Sequence, residues 1–226
     1  MTIKIKVCGM TNIKETNKIA KLNIDHIGFI NIRRSKRYIT IDEINNLQKH
    51  INDKRLSTLV LEPEDAYEVI TRIDNTQISN IQLHSLNNFD IRYIKWLNQY
   101  NMRYINTTKV IGLQNTLNAN KMMELKKYAL YSDNILLDYI KEGLTGGTNT
   151  QIPIETAIKA SQIIKKANRN TEVTLAGGLN LEYLESIQDK LQYFNRIDLN
   201  SGVENTPGRK NIQKIKKIVK LVNETW

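Results

Sequence analysis

Apolar runs of five to seven residues alternate along the chain with longer stretches in which apolar residues recur every three or four positions. The short runs predict strands at Ile3–Cys8, His26–Ile32, Leu56–Leu61, Asn80–His84, Tyr104–Val110, Asn134–Tyr139, Glu172–Ala176 and Arg196–Asn200. Their starts lie 23, 30, 24, 24, 30, 38 and 24 residues apart, each long enough for a strand, a helix and two short loops. No hairpin signal joins neighbouring runs, so the strands are expected to be parallel and linked by crossover helices.

The intervening stretches read as those helices. Asn12–Leu22 carries Ile13, Ile19, Ala20 and Leu22, and Thr40–His50 opens with Thr40 three residues before Glu43, a capping-box pattern. Pro63 and Pro153 stand where helices are expected to begin, in a first turn that tolerates a missing N–H. Most glycines, Gly9, Gly112, Gly143, Gly146, Gly147, Gly177, Gly178 and Gly202, fall after predicted strands and so in the βα loops. Eight successive βα units predict a single-domain (β/α)8 barrel over residues 1–226, in which the carboxyl ends of all strands meet on one rim.

Composition fits that frame. A chain of 226 residues with 40% hydrophobic content can bury one sizeable core. No apolar stretch approaches the roughly 20 residues of a membrane helix, and Lys4 and Lys6 interrupt the first apolar run, unlike a signal peptide. The expectation is a cytoplasmic protein with no membrane association. The net charge of +10 invites a nucleic-acid reading, but much of the excess lies on amphipathic helices. In Asn211–Lys220, for example, Ile212, Ile215, Ile218 and Val219 form one face and the lysines cover the other. No nucleic-acid partner is expected.

The rim then acquires candidate chemistry. Cys8, the only cysteine, closes the first strand, where a thiol near basic groups can serve as general base or nucleophile instead of as a buried hydrophobe. Asp138 closes Ile135-Leu136-Leu137, and partial desolvation there would suit its carboxyl to donate a proton. His84 ends the fourth strand and can line the rim in a supporting role. Gly177-Gly178 after the seventh strand and Asn200-Ser201-Gly202 after the eighth occupy the two loops that commonly cradle a phosphate with backbone N–H groups. The loop 141–151, containing Gly146-Gly147, fills the longest interval and can close over a substrate. Arg37, after the second strand, offers a fork that matches a carboxylate.

These segments together resemble the phosphoribosylanthranilate isomerase family. Lys6-Val7-Cys8-Gly9-Met10-Thr11 is similar to the family's opening motif, and Gly28-Phe29 with Ser35-Lys36-Arg37-Tyr38-Ile39 to its second-strand motif. Gln82-Leu83-His84, Leu136-Leu137-Asp138, Ala176-Gly177-Gly178-Leu179, Ser201-Gly202-Val203-Glu204 and Pro207-Gly208-Arg209-Lys210 follow in order. The resemblance implies an Amadori rearrangement of N-(5-phosphoribosyl)anthranilate in tryptophan biosynthesis, with Asp138 as general acid and Cys8 as general base. It also implies that Arg37 holds the anthranilate carboxylate, that Gly177, Gly178 and Ser201 hold the phosphate, and that no metal or organic cofactor is needed. The chain differs from the family pattern at Asn31, Glu62, Ser85 and Asn200, and has Ile152 and Ile154 at aromatic positions of the sixth loop. The expected partner is one small phosphorylated, carboxylated substrate, with monomer and homodimer both open. Rival readings are another phosphosugar isomerase or epimerase barrel, which would share the phosphate loops, and a non-catalytic basic binding module.

Overall fold

The computed structural model describes residues 2–101, 104–141, 144–145 and 150–225. The eight expected strands are present as β1 (Lys4–Cys8), β2 (His26–Ile30), β3 (Ser57–Leu61), β4 (Asn80–Leu83), β5 (Asn106–Leu113), β6 (Asn134–Lys141), β7 (Glu172–Leu175) and β8 (Arg196–Leu199). Each pairs in parallel with the next, through partners such as Cys8 with Gly28, Ile30 with Val60 and Val110 with Leu136. β8 returns to β1 through Lys6 opposite Asp198, which closes the barrel.

The alternation along each strand decides what faces where. Ile5, Val7, Ile27, Phe29, Leu59, Ile81, Ile135, Val173 and Ile197 point outward and are buried under the helices, packed with Ile19, Ile44, Val69, Leu125, Ile164 and Ile218. The intervening residues point inward and are largely polar: Lys6, Thr58, Gln82, Thr108, Asn134, Thr174 and Asp198 are all buried. Hydrogen bonds across the lumen satisfy many of them, as where Asn134 Nδ2 donates to Thr174 Oγ1 at 2.8 Å.

The outer layer consists of α1 (Ile13–Ile19), α2 (Ile41–Gln48), α3 (Ala66–Thr76), α4 (Asn88–Asn101), α5 (Ala119–Ala129), α6 (Ile154–Ala167), α7 (Leu181–Ser186) and α8 (Ile212–Thr225). The capping box of Thr40 and Glu43 forms as the spacing predicts. In α8, Ile215, Ile218 and Val219 are buried, so this face docks on the barrel and its lysines face water.

Several boundaries differ from the sequence expectation. Neither proline occupies a first helical turn: Pro153 is itself the cap of α6, and α3 starts at Ala66 because the Asp65 side chain accepts the Glu68 N–H. Gly112 lies inside β5 and not in a loop, because β5 stays paired with β6 as far as Leu113 opposite Tyr139, past its expected end at Val110; β6 runs on to Lys141 by antiparallel pairing with residues 144–145. α1 is shorter than expected, since Asn12 caps it by accepting the Glu15 N–H and the helix ends at Ile19. Among the described residues, no helix is long and apolar enough to cross a membrane.

Candidate active site

A cavity of about 310 Å³ opens at the carboxyl ends of the strands. Cys8, Arg37, His84, Asp138, Gly177, Gly178, Asn200 and Ser201 all line it, although they come from six different strand ends or loops. Gly202 is not among the lining residues but packs against the backbone of Leu179 and Asn180, and Gly147 lies outside the described residues. Two apolar patches complete the lining: Ile30, Ile32 and Val60 beside Cys8, and Leu136 and Ala176 on the opposite side.

Cys8 is fully buried in the protein, at the last position of β1. Its sulfur has room because the facing residue of β2 is Gly28. Burial pushes the thiol above its ordinary pKa, and the positive charges of Lys6 and Lys210 pull the other way. Lys6 lies one turn of the pleat below Cys8 and bonds Asp198 Oδ2 at 2.8 Å. Neither Lys6 nor Asp198 is marked by sequence reasoning as part of the site. The signals are a charged residue placed inside each of two apolar strands and, for Lys6, its place at the head of the opening motif, where it carries no assigned role.

Asp138 is buried at the rim end of β6, and its Oδ1 accepts the Tyr139 N–H at 2.8 Å. The same oxygen lies against the backbone of Gly177. Gly177 and Gly178 both take positive φ, which turns the chain sharply after β7 toward α7. The Gln151 amide fixes this turn by donating to the Gly178 carbonyl at 3.0 Å. Residues Ser201–Val203 form a 3₁₀ turn directly after β8, and residues of both loops, Gly177, Gly178, Asn200 and Ser201, line the cavity.

Arg37 reaches the cavity from the loop after β2 and is held by Glu204. Its Nε and Nη2 donate to the carboxylate at 2.9 and 2.6 Å. Glu204 also accepts from Lys210 Nζ at 2.7 Å, and Lys210 in turn donates to Asn200 Oδ1 at 2.9 Å. Burial favours the protonated form of Glu204, but the two cations outweigh it and hold the carboxyl below its ordinary range. Glu204 and Lys210 stand on a short hairpin, 204–206 with 209–210, turned by Pro207-Gly208. In the sequence these two residues belong to a motif but carry no role, because the partner of Glu204 is 167 positions away.

The polar positions at which the chain departs from the family pattern each have a hydrogen-bond partner elsewhere in the barrel. Asn31 turns its amide to the Ile39 carbonyl at 2.8 Å and so braces the second loop. Glu62 binds the guanidinium of Arg34 through two bonds of 2.8 and 2.6 Å. His84 lies beside Gln82 Nε2 at 3.2 Å, and burial lowers its pKa to about 4, so the ring is neutral at neutral pH.

Residues 5–221 match the family model described as N-(5'phosphoribosyl)anthranilate (PRA) isomerase. The chain belongs to the phosphoribosylanthranilate isomerase family. The N-(5'-phosphoribosyl)anthranilate isomerase of Methanothermobacter marburgensis is 29% identical over 221 residues, covering 97% of this chain and 94% of that protein. Among solved structures, phosphoribosyl anthranilate isomerase from Thermotoga maritima shares the fold with a TM-score of 0.80 at 24% identity, over 98% of this chain and 99% of that one. A further phosphoribosyl anthranilate isomerase, in complex with reduced 1-(o-carboxyphenylamino)-1-deoxyribulose 5-phosphate, superposes with a TM-score of 0.75 at 24% identity, over the same 98% and 99%. Barrels of this family thus carry the same order of βα units as this chain.

Proposed function

We propose that the cavity isomerises N-(5-phosphoribosyl)anthranilate to 1-(2-carboxyphenylamino)-1-deoxyribulose 5-phosphate, with Asp138 as general acid and Cys8 as general base. One observation carries this reading: a carboxyl and a thiol from β6 and β1 line a single cavity with two glycine-bearing anion loops and an arginine. The protonated Asp138 gives its proton to the ribose ring oxygen as the bond from that oxygen to C1 breaks. The lone pair of the anilino nitrogen forms a C1=N bond, and this cation acidifies the hydrogen on C2. The Cys8 thiolate takes that proton, the C2–H pair becomes the C1=C2 bond, and the C=N pair returns to nitrogen. The resulting enolamine gains a proton at C1 and loses one from its C2 hydroxyl to give the ketone.

The rest of the lining matches the three remaining parts of such a substrate. The N–H groups around Gly177, Gly178 and Ser201 suit a phosphate, and Arg37 Nη1, which Glu204 leaves unbonded, suits the ring carboxylate. The apolar patches of Ile30, Ile32 and Val60 and of Leu136 and Ala176 suit the aromatic ring.

The test is to mix purified protein with freshly generated phosphoribosylanthranilate and follow the loss of its fluorescence. Catalysed loss with formation of the ketose supports the reading. Turnover only of phosphosugars without a carboxylated ring would assign the cavity to a different isomerase or epimerase reaction.

A further inference from the structure

At the wall of the cavity, where Asp198 is one of the lining residues, lies a buried ion pair to which the proposed acid and base assign no role. Lys6 and Cys8 are two residues apart on β1, so both side chains turn to the interior of the barrel. Lys6 Nζ donates to Asp198 Oδ2 at 2.8 Å across the β1–β8 pairing, and both side chains are more than nine-tenths buried. Asp198 Oδ1 is buried with no hydrogen-bond partner among the described residues, so Lys6 supplies the carboxylate's one side-chain ion pair. An ammonium has three donors, and Cys8, two residues along β1, is the next inward-facing side chain above it.

We propose that Lys6 is a positioning residue for Cys8: its ammonium, anchored by Asp198, favours the thiolate form of the sulfur at the strand end over what burial alone would allow. The inference rests on Cys8 being the proton acceptor, because a thiol must be ionised to act as a base. Burial by itself would keep Cys8 protonated, and a buried ammonium without a carboxylate would give up its own proton. Asp198 keeps Lys6 charged, and Lys6 offsets part of the burial at Cys8, whose pKa still lies above its ordinary value. Burial lowers the affinity of Lys6 for its proton, but Asp198 and Cys8 more than restore it, leaving the ammonium charged.

The groups that face Cys8 act in opposite senses. Lys6 from β1 and Lys210 from the hairpin after β8 favour the thiolate, whereas Asp198 from β8 disfavours it. The charge of Lys210 is shared with Glu204 at 2.7 Å, and Arg37, His84 and Asp138 line the same cavity. Removing Lys6 and removing Asp198 should therefore move the titration of Cys8 in opposite directions, an outcome that generic loosening of the barrel does not produce.

Cys8 is the only cysteine among 226 residues, so its thiolate can be titrated by ultraviolet absorbance. The difference from the Cys8→Ser protein cancels the ten tyrosines, and no substrate is needed. Lys6→Met should raise the midpoint, so that at a fixed pH below it the thiolate population falls about tenfold or more. Asp198→Asn should lower the midpoint, and the acidic limb of kcat/KM should move with each. Where Lys6→Met protein does not fold, the charge-free pair Lys6→Met with Asp198→Asn is compared with Asp198→Asn alone, and a higher midpoint in the double variant is expected. Midpoints equal to the reference in each comparison overturn the proposal. If they are equal while Cys8→Ala protein is inactive, the base role of Cys8 stands and only the Lys6 inference fails. If they shift while Cys8→Ala protein turns over normally, the electrostatic pairing stands and the base role fails.

Discussion

The sulfur of Cys8 occupies the space that a side chain at residue 28 would need: a β-carbon on Gly28 would lie 2.6 Å from Cys8 Sγ and 3.0 Å from its Cα. The two residues are direct partners in the β1–β2 pairing, so neither strand can shift to make room without breaking the ladder. Gly28→Ala should displace the sulfur, lowering kcat about 100-fold while costing roughly 1–3 kcal/mol of stability. Steady-state kinetics and urea denaturation of the same protein preparation check both numbers. Unchanged kcat in a folded Gly28→Ala protein would mean that the placement of Cys8 is not critical.

Glu204 is the shared anion of two buried cations, so its removal should be felt well beyond the cavity. Glu204→Ala leaves Arg37 and Lys210 without their carboxylate and should destabilise the protein by roughly 3–5 kcal/mol. The double variant Glu204→Ala with Arg37→Met should recover part of that loss while KM for the substrate stays high. Additive destabilisation in a denaturation cycle would show that the two residues do not act as a pair.

Gly202 is the tightest point of the proposed phosphate site. A β-carbon there would lie 2.1 Å from the Leu179 carbonyl oxygen, so the loops after β7 and β8 are packed backbone against backbone. Gly202→Ala should push them apart, raise KM tenfold or more with a smaller change in kcat, and abolish competitive inhibition by inorganic phosphate. Retained phosphate inhibition would place the anion elsewhere.

Two buried histidines should make stability fall on mild acidification. Burial, then Arg196, Lys6 and Lys4, depress the pKa of His26 from 6.5 to about 3, and burial depresses that of His84 to about 4. The unfolded chain therefore takes up protons near pH 6.5 that the folded chain refuses, and folding stability declines as pH falls from there toward 4. Carboxylates such as Glu204, whose pKa is lowered below 4.5, titrate at more acidic pH and add their loss later. Urea midpoints at about pH 7 and about pH 5 should show a smaller drop for His26→Gln than for the native sequence. An equal drop would assign the acid sensitivity to other groups.

The barrel was legible because outward strand positions such as Val7, Phe29, Leu59 and Leu137 give each strand an apolar signature that recurs at βα spacing. Strand ends were less legible, since pairing and not composition decides them: β5 continues through Gly112 because β6 runs alongside it. Cys8, Asp138 and the glycine loops could be nominated because they close strands, and strand ends converge in a barrel. Glu204, Lys210, Lys6 and Asp198 could not be placed in this way. Their meaning lies in partners up to 192 positions distant, and a lysine inside a strand carries no sign of which carboxylate it will meet.

The central claim, that the cavity performs acid–base chemistry on phosphoribosylanthranilate through Cys8 and Asp138, is tested most directly by turnover of freshly made substrate by Cys8→Ala protein. With the fold verified by circular dichroism, kcat should fall by about 10²–10⁴-fold, the range of a lost general base. Turnover within a few fold of the unsubstituted protein would contradict the account.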